Sequence, residues 1–339
     1  MKLRGAISGF GEVAARAHLP AWTSREDVSL AVIHDPISAR RHEAIRLIKN
    51  VRVYDDLDLM LTGEALDFVD IASPPALHAP GALAAIEHRA HVLIEKPMCL
   101  TSEEFRALES AARAKGRILM CVHNWKFAPP YVAAHRAIAD GRIGAPVAMH
   151  FERLRSEPAG ASGEGAKWRA GATSGGGILI DHGWHVFYLM QWLFNSAPRT
   201  VSAKLEYPPN SDVDEHAVIV ANFDGARTAS AILSWRAKER RTTAAIQCER
   251  GQIEIDGDRV VAIDASGKRE DISVADAPDD SYHAAWFGGV AEQFERAIIE
   301  GPNSATAASN LTEVRNCVKI ILAARTSSVQ GGAAVQITE

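Results

Sequence analysis

Between residues 1 and about 125, short apolar runs rich in β-branched residues alternate with longer stretches of helical period, the pattern of repeated βαβ units around a parallel sheet. The strand-like runs are Leu3 to Ser8, Val28 to His34, Val51 to Val53, Leu66 to Ala72, His91 to Glu95 and Arg117 to Val122. One intervening helix shows its start: Thr101 stands three residues before Glu104 and ahead of Phe105 and Leu108, which is a capping box. The pattern changes at Asn124 to Pro130. Pro129 and Pro130 interrupt the chain, a helix over about Tyr131 to Asp140 follows, and Gly141, Gly144 and Pro146 close it. From Val147 to about Ile272 apolar and polar residues alternate, as in His216 to Phe223 and Thr228 to Trp235, with Asp224-Gly225 and Asp256-Gly257 as tight turns between antiparallel strands. A Gly/Ser/Ala-rich stretch from Pro158 to Gly177 and a helix running to about Phe194 interrupt this series. Two helical segments, about Tyr282 to Glu300 and Ala305 to Thr326, follow it. The expectation is an α/β protein, with an N-terminal doubly wound parallel sheet over 1–125 and a second α/β domain over 126–339 whose terminal helices can pack back on the first.

Composition narrows the class. A chain of 339 residues has room for two domains of ordinary size. Its 37 Lys and Arg against 42 Asp and Glu give a net charge of −5, with both signs interspersed. That balance argues against nucleic acid or an anionic membrane as the main partner. Cys99, Cys121, Cys248 and Cys317 are far apart, which argues against a zinc knuckle or disulfide frame and fits a reducing compartment. No apolar stretch approaches the ~18 residues of a membrane span. Met1 and Lys2 lead straight into a strand-like run without the regions of a signal peptide, so a cytoplasmic location is expected.

Four segments carry candidate chemistry. Gly9-Phe10-Gly11-Glu12-Val13-Ala14 follows the first strand and opens an apolar helix. Such a pattern fits a plain glycine turn, or a loop that lets a pyrophosphate approach the backbone at a helix N-terminus. Asp35 ends the second strand 24 positions beyond Gly11, where a carboxylate can accept both adenosine ribose hydroxyls. Dinucleotide binding is therefore the expectation. A carboxylate there repels a 2′-phosphate, so NAD is expected over NADP, with Arg40 and Arg41 near enough to keep NADP open. Ser73-Pro74-Pro75 and His78 follow the fourth strand and should line the crevice at the carboxyl ends, His78 serving as a ligand contact or as a satisfied helix-start histidine. Glu95-Lys96-Pro97 closes the fifth strand, and a Lys in that place can donate a hydrogen bond to a reacting oxygen.

The last segment runs from Gly175 to His185. On a helix Asp181 and His185, four apart, share one face, so the carboxylate can orient an imidazole suited to take a proton from an alcohol. Gly183 between them would be explained by a close approach of cofactor or substrate. A metal site from Asp181, His182 and His185 is not expected, because His182 lies about 100° around the helix from Asp181 and no further ligand cluster is evident.

These residues in this order resemble the Gfo/Idh/MocA oxidoreductases, the family of glucose–fructose oxidoreductase and inositol 2-dehydrogenase. The resemblance covers nearly the whole chain and also takes in Trp168-Arg169 ahead of the triple glycine and the two terminal helices. It implies a Rossmann domain followed by an α/β domain on a large, open, mainly antiparallel sheet, whose outer face forms homodimers or homotetramers. It implies that Lys96, Asp181 and His185 form the catalytic set, with His185 exchanging the substrate proton, Lys96 polarising that oxygen and Asp181 positioning substrate and histidine. The cofactor would lie on Gly9, Phe10, Gly11, Glu12, Val13, Asp35, Ser73, His78, Glu95 and Lys96. Asn124, Lys126, Arg153, Trp168, Arg169 and Trp184 would touch substrate or the nicotinamide end. The family often has Asp three residues after the histidine, where this chain has Tyr188. Tyr188 and Trp184 are accordingly expected to offer a stacking surface for a sugar ring. The implied activity is NAD(P)-dependent hydride transfer to or from a carbinol carbon of a sugar, sugar derivative or cyclic polyol. The competing functions are a glycosidase that uses held NAD for transient oxidation and elimination, and a catalytically silent dinucleotide sensor.

Overall fold

The computed structural model describes all residues except 1, 159–167, 275–281 and 339, so part of the expected Pro158 to Gly177 stretch lies outside the described residues. The chain forms two compact units, Met1–Asn124 with Ala277–Arg315 and Trp125–Asp276 with Asn316–Glu339.

The first unit is built on six parallel strands: β1 (Leu3–Ser8), β2 (Val28–His34), β3 (Arg52–Tyr54), β4 (Phe68–Ile71), β5 (His91–Ile94) and β6 (Leu119–Cys121). Their spatial order is β3-β2-β1-β4-β5-β6. Chain order reverses between β1 and β4, the switch point outside which ligands of doubly wound sheets sit. Several strands are shorter than the sequence pattern suggests, yet the ladder runs on, since Ala72 N–H still donates to Ser8 O at 2.8 Å. The helix Ser102–Lys115 starts at the expected capping box. Thr101 Oγ1 accepts the Glu104 N–H at 3.1 Å, and the Glu104 carboxylate accepts the Thr101 N–H at 3.2 Å. Helices also come from far along the chain. Ala284–Glu300 belongs to this unit, and so does the first part of Ala305–Val329, where Asn310 accepts from Cys121 N–H and donates to Cys121 O, closing the edge strand β6.

An aromatic cluster fills the core beneath β1 and β4. The ring of Phe68 lies 4.7 Å from Trp22 and 5.8 Å from Phe294, and all three are fully buried. Gly5 pairs directly with Phe68, and a Cβ there would fall 2.1 Å from the Phe68 ring. The strand carries glycine because the ring occupies that space.

The second unit carries nine strands: β7 (Pro146–Leu154), β8 (Thr200–Glu206), β9 (His216–Asn222), β10 (Thr228–Ser234), β11 (Arg241–Cys248), β12 (Gly251–Asp256), β13 (Arg259–Asp264), β14 (Arg269–Ile272) and β15 (Val335–Gln336). The order is β14-β13-β12-β11-β7-β10-β9-β8-β15, antiparallel throughout except for the parallel pair β7 and β10. Gly225 and Gly257 take positive φ of 70° and 61° in the turns foreseen after Asp224 and Asp256. One sheet face buries Met149, Phe151, Ile219, Ala231, Leu233 and Ile246. Against it lies a helix in two pieces, Ile178–Asp181 and Gly183–Phe194, joined through His182. Gly183 receives a different explanation from the one expected. A Cβ there would meet the Phe187 ring at 3.1 Å and Leu233 Cδ1 at 3.3 Å, so the glycine serves helix-on-sheet packing rather than the approach of a ligand.

Gly5→Ala should destabilise the protein by about 1–3 kcal/mol, the cost of overpacking a filled core, read as a lower denaturant midpoint at unchanged slope.

Candidate active site

In the first unit the candidate residues collect at the carboxyl ends of β1, β2, β4 and β5. Gly9, at φ 91°, passes so close to the end of β4 that a Cβ would lie 2.5 Å from Ser73 N. Gly11 is open by contrast: its nearest atom to such a Cβ is Arg40 Cζ, at 4.0 Å. Glu12 and Val13 are exposed on the first helical turn, whose N–H groups have no intrahelical acceptors. Phe10 is buried. Among the described residues buried Ser73 Oγ has no hydrogen-bond partner. A close turn, an open second glycine and an orphaned hydroxyl at a sheet switch point fit a dinucleotide.

Two expected cofactor contacts take other roles. The Asp35 carboxylate is fully buried, with Oδ2 accepting the Phe10 N–H and Oδ1 the Ile37 N–H, both at 2.8 Å. Its oxygens fix the glycine loop to the end of β2 instead of standing open to ribose hydroxyls. Arg40 and Arg41 gather around it, Arg40 Nη1 at 3.4 Å from Oδ2 and Arg41 Nη1 donating to the Asp35 carbonyl at 2.8 Å. His78 is likewise buried. Its two ring nitrogens lie 2.7 Å from the Pro97 and Ser73 carbonyls, so it staples two crevice loops together, the structural one of its two expected roles. Burial holds it below the ordinary histidine range, against the pull of those carbonyls.

Glu95 and Lys96 stand at the end of β5, and the Lys96 N–H donates to Glu95 Oε2 at 2.8 Å. The sequence reading missed what lies behind them. Buried His18 places Nδ1 2.8 Å from Asp70 Oδ2 and Nε2 3.2 Å from Glu95 Oε1, and its ring stacks on Phe287 at 3.8 Å. The Trp22 indole also donates to Asp70 Oδ2, at 2.7 Å. Burial opposes the imidazolium, but the two carboxylates outweigh it and raise His18 to about 9. Glu95 is also buried, and the His18 hydrogen bond and charge hold it below its ordinary range nonetheless. The signal available in the sequence was Asp70, a carboxylate in the otherwise apolar run Phe68–Ile71. Asn124, after β6, has a buried Oδ1 with no partner among the described residues.

The second unit joins its candidates into one chain of contacts. Arg169 Nε donates to Asp181 Oδ2 at 3.0 Å and its guanidinium lies 4.1 Å over the Trp168 ring. His182 Nε2 is 3.5 Å from the same Asp181 oxygen, and His182 Nδ1 accepts from Arg153 Nε at 3.3 Å. The Arg153 guanidinium sits 4.2 Å from the Trp125 ring centre. On that indole the His185 ring also stacks, at 4.6 Å and 14°. Finally His185 Nδ1 meets the Tyr188 hydroxyl at 2.8 Å, while the Tyr188 oxygen accepts the Trp125 N–H at 3.0 Å. Trp125 therefore holds the ring of His185 from both its side chain and its backbone. The sequence reading passed over it between Asn124 and Lys126.

One expectation for this unit is corrected. Trp184 and Tyr188 are fully buried and cannot offer a stacking surface to a sugar; Trp184 is core, and Tyr188 is the hydrogen-bond partner of the histidine. Asp181 Oδ2 is shared by Arg169 and His182. Lys126 lies 5.6 Å over the Trp192 ring. Among the described residues no group of three or more His, Cys, Asp or Glu is placed to hold a metal ion.

Residues 3–123 match the family model described as the oxidoreductase family, NAD-binding Rossmann fold, and residues 131–254 match the Gfo/Idh/MocA C-terminal domain. The chain belongs to the Gfo/Idh/MocA family. It is similar to a D-apiose dehydrogenase of Paraburkholderia graminis, 26% identical over 71% of this chain and 62% of that one. It is also similar to a scyllo-inositol 2-dehydrogenase (NADP(+)) of Bacillus subtilis, 27% identical over 84% of this chain and 86% of that protein. The match thus spans less than two thirds of the length of the first of these Gfo/Idh/MocA relatives. A levoglucosan dehydrogenase, solved in complex with NADH and levoglucosan, shares the fold at a TM-score of 0.87 over 100% of both chains and 22% identity.

Stability should depend on pH through His18. Its folded value near 9 lies above the ordinary 6.5, so its contribution is complete below pH 6.5 and lost as pH rises through 9. The melting temperature is expected to fall over that window, and His18→Gln should both lower the curve and flatten the fall. Tyr188→Phe should cost about 1–3 kcal/mol in denaturant unfolding, because the buried Trp125 N–H loses its acceptor.

Proposed function

We propose that this chain is an NAD(P)-dependent dehydrogenase moving hydride between the nicotinamide and a carbinol carbon of a sugar, sugar derivative or cyclic polyol. Family membership and the names of its relatives support the class, and the observation that carries the reading is the histidine fixed between Trp125 and Tyr188. A ring fixed at Nδ1 and on its face can exchange a proton through Nε2 in a single orientation, which general acid–base catalysis requires. In this reading Nδ1–H donates to the Tyr188 oxygen, and Nε2 takes the proton of the substrate hydroxyl.

Lys96 donates to the same substrate oxygen, lowering the cost of its developing negative charge. Asp181, itself held by Arg169 and His182, receives a neighbouring substrate hydroxyl and balances the charge around the histidine. Gly9, Gly11, Glu12, Val13 and Ser73 would hold the dinucleotide, which when bound supplies the hydride acceptor. Glu95, ionised beside His18, holds the Lys96 backbone in place from below. NAD is proposed as the working cofactor. Arg40 and Arg41 leave room for NADP, and the Bacillus subtilis relative carries NADP(+) in its name. A homo-oligomer through the outer face of the nine-stranded sheet is part of the proposal, supported by exposed Val147 and Val218 on β7 and β9.

Absorbance at 340 nm, with NAD and NADP in parallel over aldoses, uronic acids, amino sugars and inositols, tests the reading. Stoichiometric NADH is expected with one substrate class. Lys96→Ala and His185→Ala should each lower kcat/KM by about 10²–10⁴ while still binding NAD. Release of product from aryl glycosides without NADH would replace the dehydrogenase with the redox glycosidase, and NAD binding with no turnover anywhere would leave a sensor.

A further inference from the structure

Along β7 Met149, Phe151 and Arg153 alternate onto one sheet face, since side chains repeat every second residue, and Arg155 follows just past the strand end, its N–H still donating to Ser234 O at 2.8 Å. The first two are core, and then the row turns cationic. Arg153 donates to His182 Nδ1 and Thr242 Oγ1, while Arg155 donates to the Leu154 and Arg241 carbonyls and Thr242 Oγ1. Among the described residues neither guanidinium forms an ion pair with a carboxylate. Asp181, the acid that bears on Arg153, is already paired with Arg169. Burial together with Arg155 and Arg240 holds Arg153 well below the usual arginine range, and burial brings Arg155 to about 10.

A third donor stands beside them. Trp235, just past the end of β10, is 3% exposed, and among the described residues its buried Nε1 has no partner. Its ring packs edge-on against His182 at 6.2 Å, the imidazole that accepts from Arg153. Two guanidinia and an indole N–H are donor-only groups. Leaving half-buried guanidinia without an anion, and the buried indole N–H without an acceptor, costs free energy that a bound acceptor would recover. A carboxylate, acceptor-only and able to take two parallel bonds from a guanidinium, matches that set; a neutral hydroxyl, which must also donate, does not.

We propose that the substrate carries a carboxylate, held by Arg153, Arg155 and the Trp235 indole N–H, so that the chain acts on an acidic sugar such as a uronate or aldonate. The inference rests on the dehydrogenase reading, in that it places the substrate of that reaction against the Arg153–His182–Asp181 contacts.

The test compares D-glucuronate, D-galacturonate and D-gluconate with D-glucose, D-galactose and myo-inositol, both as NADH formation and as protection of the chain from thermal unfolding. Acidic sugars should be favoured at least about tenfold in kcat/KM. Arg155→Met and Trp235→Phe should each reduce the acidic-to-neutral ratio by about tenfold, and added salt should weaken the acidic sugars selectively. Arg155→Met is the primary variant because Arg153 also packs on Trp125. NADH formed preferentially from neutral sugars, or a ratio unchanged in both variants, would overturn the carboxylate while leaving the dehydrogenase. If no sugar is oxidised, the dehydrogenase reading fails. Thermal protection by the acidic sugars, lost in Arg155→Met, would then still support the carboxylate site, and its absence would overturn that too.

Discussion

A polar group taken out of water must find a partner inside the protein or be left for a ligand, and this constraint sorts the candidate residues more sharply than their positions in the sequence do. The buried charges of the first unit are mostly satisfied from within. Asp35 takes two backbone N–H groups, His78 bridges two carbonyls, and His18 lies between Asp70 and Glu95. Such groups hold loops in shape. Among the described residues Ser73 Oγ and Asn124 Oδ1 in the first unit and Trp235 Nε1 in the second are buried without a partner, as is Asp70 Oδ1, whose other oxygen takes His18 and Trp22; Ser73 and Asn124 are residues that the family resemblance marks for ligands.

The satisfied groups still matter to function, through the residues they hold. His18 keeps Glu95 ionised, and Glu95 accepts the Lys96 backbone N–H, so a protonated imidazole buried behind the sheet fixes the start of the loop that carries the lysine. In the second unit Trp125 plays the corresponding part. Its indole meets Arg153, His185 and Tyr131, and its N–H anchors the hydroxyl that orients His185. Each unit thus surrounds its candidate side chain, Lys96 or His185, with a second layer of buried aromatic and charged groups.

Much of the fold was legible because it depends on period and punctuation. Apolar runs between helical stretches gave the strands of the first sheet, alternation gave those of the second other than β15, glycine after aspartate gave the turns at 225 and 257, and Thr101 with Glu104 gave a helix start. The location of the glycine loop, Ser73, Glu95 and Lys96 followed from strand ends. Contacts made at long sequence separation were not legible: Phe68 against Gly5, Asn310 against Cys121, His18 against Asp70 and Glu95. Asp35, Trp184 and Tyr188 were misread for a related reason. Residue type and spacing identify a carboxylate or an aromatic ring near a site, while its direction depends on packing the sequence does not display, and here packing turned all three inward. Gly183 shows the same limit, since the space it leaves is filled by Phe187 and Leu233.

The most direct test of this account is calorimetric titration of NAD+ into the wild-type chain and Ser73→Ala. Because Ser73 Oγ is buried without a partner at the switch point of the sheet, the account predicts saturable binding of one dinucleotide per chain, weakened about tenfold in the variant. Absence of binding by the wild type, or equal affinity in the two proteins, would contradict it.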